Sequence, residues 1–232
     1  MPALTQASFA LEGSHLERYA SRLSGVEINS SFYRPHKPAT YARWAASVPP
    51  GFRFAVKVPK AITHERKLAE GADLLDAFLG EAGQLGDKLG PLLVQLPPSL
   101  ASNADRDEAF LSMLRKRHGG PVVIEPRHAS WFGEDARTRL IKHRIALVRV
   151  DPAPCEGADW AMGDASAEGR VAYYRLHGSP RIYHSSYDDA YLQALAGRLR
   201  DDKRRFDAVW CIFDNTASGA ATANALTLLG LL

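Results

Sequence analysis

The 232 residues contain 46% hydrophobic residues, which is enough for one sizeable core and predicts a single domain over residues 1–232. A net charge of +3 permits an anionic ligand without requiring nucleic acid or a membrane, and two cysteines at unrelated positions argue against a disulfide framework or a zinc ribbon. The start of the chain lacks an apolar leader and no apolar tract is long enough for a bilayer. We therefore expect a cytoplasmic protein without a membrane partner.

Strand and helix patterns alternate along the whole chain. The first helix begins at the capping box Ser14–Glu17, and other helical patterns lie near residues 38–48, 74–82, 105–117, 192–199 and 220–229. A further helix follows Trp131 and runs through Leu140 and Ile141. The predicted strands are 26–33, 52–58, 92–95, 122–124, 146–150, 171–176 and 208–213. The long connection from Lys60 to Gly71 is typical of a functional loop, whereas the stretch from Ala153 to Gly169 has no clear period.

This alternation indicates an α/β fold, with a parallel sheet covered by helices. The chain is long for an open doubly wound sheet, and it has no Gly-x-Gly-x-x-Gly turn. Seven strands are visible, and we predict a TIM-type (β/α) barrel.

Polar side chains recur where the predicted strands end. Because the carboxyl ends of parallel strands share one face of a barrel, we expect these residues to converge in one pocket. They are Glu27, Asn29, Lys57, Gln95, Glu125, Arg127, Asp151, Arg175, His177, Asp214 and Asn215. The loops add candidate ligand contacts from Tyr33, His64, His128, Trp131 and Tyr187, although aromatic residues at such positions more often pack a core or a lid.

The residue types in this pocket suit proton transfer on an anion. Glu125 is the predicted base, Lys57 or His177 the acid or electrophile, and Arg127 with Arg175 the clamp for a carboxylate or phosphate. Metal ligation by the acidic residues and His177 is less favoured because the neighbouring cations compete, so no metal site is assigned. The residues leave the cofactor unknown.

Seven ordered motifs resemble the Domain of Unknown Function 72 family, also called YecE-like. They are Val26-Glu-Ile-Asn-Ser-Ser-Phe-Tyr33, Phe52-Arg-Phe-Ala-Val-Lys57, Ile62-Thr-His64, Gln95-Leu-Pro-Pro-Ser99, Glu125-Pro-Arg-His-x-Ser-Trp131, Arg175-Leu-His-Gly178 and Phe213-Asp-Asn-Thr216. The resemblance covers the chain from about Gly13 onward and implies a TIM-type barrel without an established activity. Family members typically begin with a strand like Ile-Gly-Thr-x-Gly-Trp, so residues 1–12 are atypical and the first strand is expected to be missing or altered.

Three functions are compatible with these observations. The favoured one is an enzyme acting on a small polar or anionic metabolite, such as a sugar or phosphorylated compound, by acid/base chemistry. A nucleic-acid-binding or metal-dependent nuclease-like barrel is an alternative that the modest net charge disfavours. A non-catalytic ligand sensor or partner-binding scaffold is the third, because a binding site needs the same clamps. The sequence leaves the oligomeric state open.

Overall fold

The computed structural model describes residues 3–155, 158 and 171–232. Its strands are β1 (Gly25–Ile28), β2 (Arg53–Lys57), β3 (Leu89–Gln95), β4 (Val122–Glu125), β5 (Ala146–Leu147), β6 (Arg149–Asp151), β7 (Val171–Leu176) and β8 (Ala208–Phe213). Its α-helices are α1 (His15–Ala20), α2 (Ser30–Tyr33), α3 (Pro38–Ala46), α4 (Ala72–Ala82), α5 (Ala104–Arg117), α6 (Glu134–Lys142), α7 (Asp189–Asp202) and α8 (Ala220–Leu231). This order confirms an α/β fold.

All described strand pairs are parallel, in the orders β1-β2-β3-β4-β5 and β6-β7-β8. Strands β5 and β6 are separated by Val148, whose N–H donates to the carbonyl of Ile124 in β4. On the other side, the N–H of His177 donates to the carbonyl of Asp151. Residues 146–151 therefore connect the two groups of strands, and β5 and β6 together correspond to the one strand predicted at 146–150. Among the described pairings none joins β1 to β8, so the sheet is not closed by hydrogen bonds.

Side chains alternate between two faces of the sheet because successive Cβ atoms in a strand point in opposite directions. In β2 to β4 one face carries Phe54, Val56, Leu92, Val94, Val122 and Ile124, which pack with buried side chains of α3, α4, α5 and α6. The opposite face carries Ala55, Leu93 and Val123, which pack together with residues of β5 to β7. The strands therefore have a helix-covered face and an inner face that packs against itself.

The ends of the sheet approach each other although they do not pair. A methyl group built on Gly25 of β1 would lie 3.0 Å from the ring of Trp210 in β8. A cavity of about 560 Å³ lies between β1, β8 and α8, and its lining includes Glu27, Asn29 and Asp214 from the strand ends. Helices α7 and α8 pack on β7 and β8 in a separate apolar cluster.

Local chemistry explains where one predicted strand ends early. The predicted strand 26–33 stops at Ile28, and residues 30–33 form α2 instead. The Ser31 hydroxyl donates to the carbonyls of Ile28 and Lys57, at 3.0 and 2.7 Å, which holds this turn against the end of β2. The first helix does begin with the predicted capping box, in which Ser14 and Glu17 bond reciprocally.

The two predicted long connections have different outcomes. Within the connection from Lys60 to Gly71, residues Ala61–Glu65 form one turn of π-helix, a form often found at functional sites. The stretch from Ala153 to Gly169 lies mostly outside the described residues. No helix in the described part of the chain combines the length and apolar composition that crossing a membrane requires.

Candidate functional site

Side-chain alternation places four polar residues at the carboxyl end of the inner face. Lys57, Gln95, Glu125 and Arg175 each lie two residues beyond an inner-face residue of the same strand, and each is at most 7% exposed. Residues two apart in a strand share a face. The inner face is therefore apolar along the strands and charged at their carboxyl ends.

Arg175 is the centre of this charged cluster, and it is 1% exposed. Its guanidinium donates to both oxygens of Glu27, at 3.0 and 2.8 Å, to Glu125 Oε2 at 2.5 Å and to Asp214 Oδ2 at 3.0 Å. Burial opposes the charge on Arg175, but the three carboxylates outweigh it and raise its pKa. The predicted anion clamp is thus already occupied by acidic residues of the chain.

Glu125 is fully buried and has donors on both carboxylate oxygens. Oε1 accepts from Gln95 Nε2 at 2.7 Å and from Arg127 Nη2 and Nε at 3.0 and 3.2 Å, while Oε2 accepts from Arg175. Burial favours the neutral acid, yet Arg175, His177 and Arg127 together hold the pKa of Glu125 well below its usual range. Glu125 is therefore an ionised anchor with a low affinity for protons.

His177 lies between two of these carboxylates. Its Nδ1 is 3.1 Å from Asp214 Oδ2, and its Nε2 is 3.7 Å from Glu125 Oε1, which is beyond hydrogen-bond distance. Nε2 is buried and has no hydrogen-bond partner among the described residues. Burial disfavours the imidazolium, but Asp214 and Glu125 outweigh it and raise the pKa of His177. Burial raises the pKa of Asp214, but His177, Arg175 and Lys57 together lower it below its usual value.

Lys57 differs from the other cations because no described acceptor binds its amine. The residue is 6% exposed, and Nζ lies 4.1 Å from the centroid of the Phe32 ring, in a cation–π contact. Burial and the positive charge of Arg175 lower the pKa of Lys57 to about 8, although Glu125, Glu27 and Asp214 act in the opposite direction.

His64 shares the aromatic contact of Lys57. Its ring lies edge-on to Phe32 with centroids 4.9 Å apart, and its Nδ1 is 2.9 Å from the Thr63 hydroxyl. Burial, Lys57 and Arg127 lower the pKa of His64, which favours the neutral form of the ring. The π-helical turn thus places an imidazole on the same ring as the Lys57 amine.

Four other predicted residues have contacts outside this cluster. Trp131 is 1% exposed, packs in the main core and donates its indole N–H to the Leu100 carbonyl at 2.9 Å. His128 accepts from the Ser130 N–H and caps the short 3₁₀ segment Ala129–Phe132. Tyr33 is 70% exposed, and Asn29 lines the cavity beside β1. The geometry gives Trp131 a packing role, where ligand contact was expected.

Asp151, Tyr187 and Asn215 form a second polar group beside β6 to β8. The Tyr187 hydroxyl donates to Asp151 Oδ2 at 2.7 Å and accepts from the Gly178 N–H at 2.8 Å. Asn215 donates from Nδ2 to the carbonyl of Ser185 and to the side chain of Asn224 in α8, both at 2.9 Å. These bonds fix the loop between β7 and α7 onto α8.

Three residues that the sequence did not single out contribute to the cluster. The Tyr173 hydroxyl donates to Glu27 Oε2 at 2.8 Å, and the Phe32 ring makes the cation–π contact with the Lys57 amine. The Tyr183 ring lies edge-on to His177, with centroids 5.7 Å apart. Tyr173 precedes Arg175 by two residues in a strand, and this spacing is the signal that could have identified it.

The carboxylates of the cluster are engaged by arginines. Among the described residues no group of three or more His, Cys, Asp or Glu side chains is arranged to hold a metal ion. Glu27, Glu125 and Asp214 each bind the guanidinium of Arg175.

Two solved structures have a similar fold. A DUF72 family protein from Enterococcus faecalis V583 superposes with a TM-score of 0.80 and 22% identity, over 98% of this chain and 92% of that one. A DUF72 family protein from Thermotoga maritima MSB8 gives a TM-score of 0.74 and 23% identity, over 90% and 84% of the two chains. At such identities the similarity establishes the fold alone.

Sequence comparison identifies the family. UPF0759 protein YecE of Escherichia coli K12 is 35% identical over 150 residues, which are 62% of this chain and 54% of that protein, so the match spans about half the length of the relative. UPF0759 protein YunF of Bacillus subtilis 168 is 24% identical over 94% of this chain and 86% of its own length. The model of the family described as protein of unknown function DUF72 matches residues 8–232. This chain belongs to the DUF72 family.

Proposed function

We propose that the protein is an enzyme that transfers protons on a small polar or anionic metabolite, at the carboxyl ends of its strands. The observation that carries this proposal is the pair of nitrogen atoms without partners in the charged cluster. Among the described residues, Lys57 Nζ contacts the Phe32 ring but no hydrogen-bond acceptor, and His177 Nε2 has no hydrogen-bond partner, whereas the neighbouring carboxylates and Arg175 are bound to one another. Buried polar groups are normally paired, and exceptions concentrate at functional sites.

The pKa directions suit acid/base chemistry near neutral pH. The pKa of Lys57 falls to about 8, which brings it toward the physiological range, and the pKa of His177 is raised from its usual 6.5 by Asp214 and Glu125. General acids and bases are most effective when their pKa lies close to the working pH. We assign proton transfer to Lys57 and His177, and we assign Glu125 to positioning because both of its oxygens accept hydrogen bonds and its pKa is lowered.

Arg127 is the candidate anion contact. The Arg127 side chain is 29% exposed, against 1% for Arg175, and its guanidinium donates to Glu125 from Nε and Nη2. A guanidinium held by a buried carboxylate is already oriented for a phosphate or carboxylate. We propose that the strands surround this site as an open TIM-type barrel, because Arg175 and Tyr173 of β7 bind Glu27 of β1 across the inner face.

Hydrogen exchange on candidate substrates tests this function, because an enzyme that removes a proton from carbon exchanges that hydrogen with solvent whatever product follows. The purified protein is incubated in D₂O with dihydroxyacetone phosphate, glyceraldehyde 3-phosphate, pyruvate and glucose 6-phosphate, and ¹H NMR follows the loss of C–H signals. We expect exchange or conversion of at least one compound above the protein-free rate, and a decrease of about 100-fold or more in Lys57→Met and His177→Gln.

The matched control is Lys60→Met. Lys60 lies three residues from Lys57, is substantially exposed and pairs with Glu65 on the surface at 2.9 Å. This variant should keep the wild-type exchange rate. Equal rates in wild type, Lys57→Met and His177→Gln would contradict the assignment, and no exchange or conversion of any compound would contradict the proposed function.

A further inference from the structure

The amine of Lys57 is presented as a nucleophile as well as a base. It extends from the last residue of β2, whose carbonyl accepts from the Ser31 hydroxyl at 2.7 Å, so the strand end is fixed by a side chain of α2. The adjacent residue of α2, Phe32, supplies the ring below the amine. Two successive residues of one turn thus hold both the backbone and the amine of Lys57.

The surroundings of Lys57 favour the neutral amine. The carboxylates that influence it, Glu27, Glu125 and Asp214, each bind Arg175, so none of them forms an ion pair with Nζ in the described part of the chain. A phenyl ring attracts a cation without accepting its proton. About half of such an amine is uncharged at pH 8, whereas an ordinary lysine at that pH is almost wholly protonated.

We propose that Lys57 forms an imine with the carbonyl carbon of a small aldehyde or ketone that carries a phosphate or carboxylate group. This inference deepens the proposed function, on which it rests, by naming the substrate class. Desolvated lysines in apolar pockets are the usual Schiff-base nucleophiles. The Phe32 ring positions the Lys57 amine, and no described hydrogen-bond acceptor occupies that amine. The partly exposed side chain of Arg127 can bind the phosphate or carboxylate of the substrate.

The covalent step is balanced by groups in the cluster. The neutral Nζ of Lys57 attacks the carbonyl carbon, the C–N bond forms as the carbonyl π bond breaks, and one nitrogen hydrogen passes as a proton to the carbonyl oxygen to give a carbinolamine. The C–O bond then breaks as the hydroxyl takes a proton from His177 and leaves as water, and the remaining nitrogen hydrogen passes as a proton to His64, on the same Phe32 ring, to give the C=N bond of the neutral imine. The raised pKa of His177 favours its protonated form and the lowered pKa of His64 favours its unprotonated form, as these roles require. No oxidant or cofactor is required.

Reductive trapping tests this inference on the wild-type protein. The chain is incubated separately with dihydroxyacetone phosphate, glyceraldehyde 3-phosphate and pyruvate at pH 7.5 with sodium cyanoborohydride, and intact mass and peptide mapping locate the secondary amine. We expect one dominant adduct at Lys57 with at least one compound, at an occupancy at least tenfold above that of Lys60. Lys57→Arg should abolish this adduct, and Lys60→Arg should retain it.

Each other outcome has a definite meaning. Labelling of the lysines in proportion to their exposure, or no adduct at Lys57 with any of the three compounds, overturns the imine. If exchange in D₂O persists without trapping, Lys57 transfers protons only and the proposed function stands; if both fail, both proposals fail. Because Lys57→Arg could perturb folding, its circular dichroism and melting temperature are measured, and the mapped wild-type adduct decides the question without it.

Discussion

The charged cluster predicts a large effect for Arg175→Met. This substitution keeps much of the volume of the arginine stem but removes the four hydrogen bonds that Arg175 donates to Glu27, Glu125 and Asp214. The side chains of Glu27 and Glu125 are 2% and 0% exposed, and that of Asp214 is 19% exposed. Three carboxylates therefore lose a shared cation, and two of them have almost no access to water.

The expected loss follows from the cost of an unpaired buried charge. Removal of one partner of a buried ion pair costs about 3–5 kcal/mol, because the other charge stays in a medium of low dielectric constant. Arg127 and Gln95 still donate to Glu125 and limit the loss there, whereas Glu27 keeps one donor among the described residues, the Tyr173 hydroxyl. We expect the free energy of unfolding to fall by about 5 kcal/mol, which for this length lowers the melting temperature by about 10–20 °C.

The loss must depend on pH in a definite direction. In the wild type the pKa values of Glu125 and Asp214 are lowered, so their ionised forms stabilise the fold above the unfolded-state pKa, and this contribution disappears as the pH falls through the folded value. Without Arg175, burial has more weight and raises both pKa values. The stability difference between variant and wild type is thus largest at neutral pH and smaller toward pH 5.

Thermal unfolding followed by circular dichroism at pH 5 to 8 measures this difference. Arg117→Met is the control, because Arg117 pairs with Asp76 at 2.7 Å on the surface and should cost no more than about 1 kcal/mol. Adding Glu27→Gln to Arg175→Met should recover part of the stability, since it removes one uncompensated charge. A deficit as small as that of the control, or one that is constant with pH, would refute the reasoning.

Three further substitutions test neighbouring parts of the structure by chemical denaturation. Gly178→Ala should destabilise the fold by about 1–3 kcal/mol, because Gly178 has φ +94° and a Cβ there would lie 2.8 Å from the Ser185 carbonyl oxygen. Ser185→Ala is the control, and it should change the free energy of unfolding by less than about 1 kcal/mol. Tyr187→Phe should cost about 1–3 kcal/mol, since the Gly178 N–H and the Asp151 carboxylate lose a buried partner; no loss would show that water replaces the hydroxyl. Trp131→Ala should cost about 3–5 kcal/mol while leaving any ligand-dependent thermal shift intact, and loss of that shift in a folded variant would return Trp131 to the ligand site.

The sequence predicted the positions of the strands and the end of the sheet at which polar residues gather. Period-two alternation made this possible, because Glu125 and Arg175 continue the inner-face positions of their strands past the last apolar residue. The parallel order of the strands followed from the alternation with helices. These features are local patterns, and local patterns are what a single sequence records.

Such patterns could not predict which charged side chains of the cluster pair with one another. Arg175 contacts residues 39, 50 and 148 positions away, and nothing in the sequence indicates that one arginine binds three carboxylates while Lys57 binds none. Trp131 follows charged residues in the chain, but its ring packs in the main core, where its indole N–H donates to the carbonyl of Leu100, 31 residues away. Both outcomes depend on distances through space after folding.

The arrangement of charges links the lowered pKa of Lys57 to the raised pKa of His177. The carboxylates of Glu27, Glu125 and Asp214 equal in number the cations of Arg127, Arg175 and Lys57, so the cluster is neutral while Lys57 is protonated and His177 is not. When Lys57 loses its proton, the excess negative charge is compensated if His177 gains one, and the Asp214 contact already favours that. Transfer of one proton from Lys57 to His177 therefore leaves the net charge of the buried cluster unchanged. A lowered pKa of the amine and a raised pKa of the imidazole suit an amine that acts as a nucleophile or base while the imidazole acts as the acid.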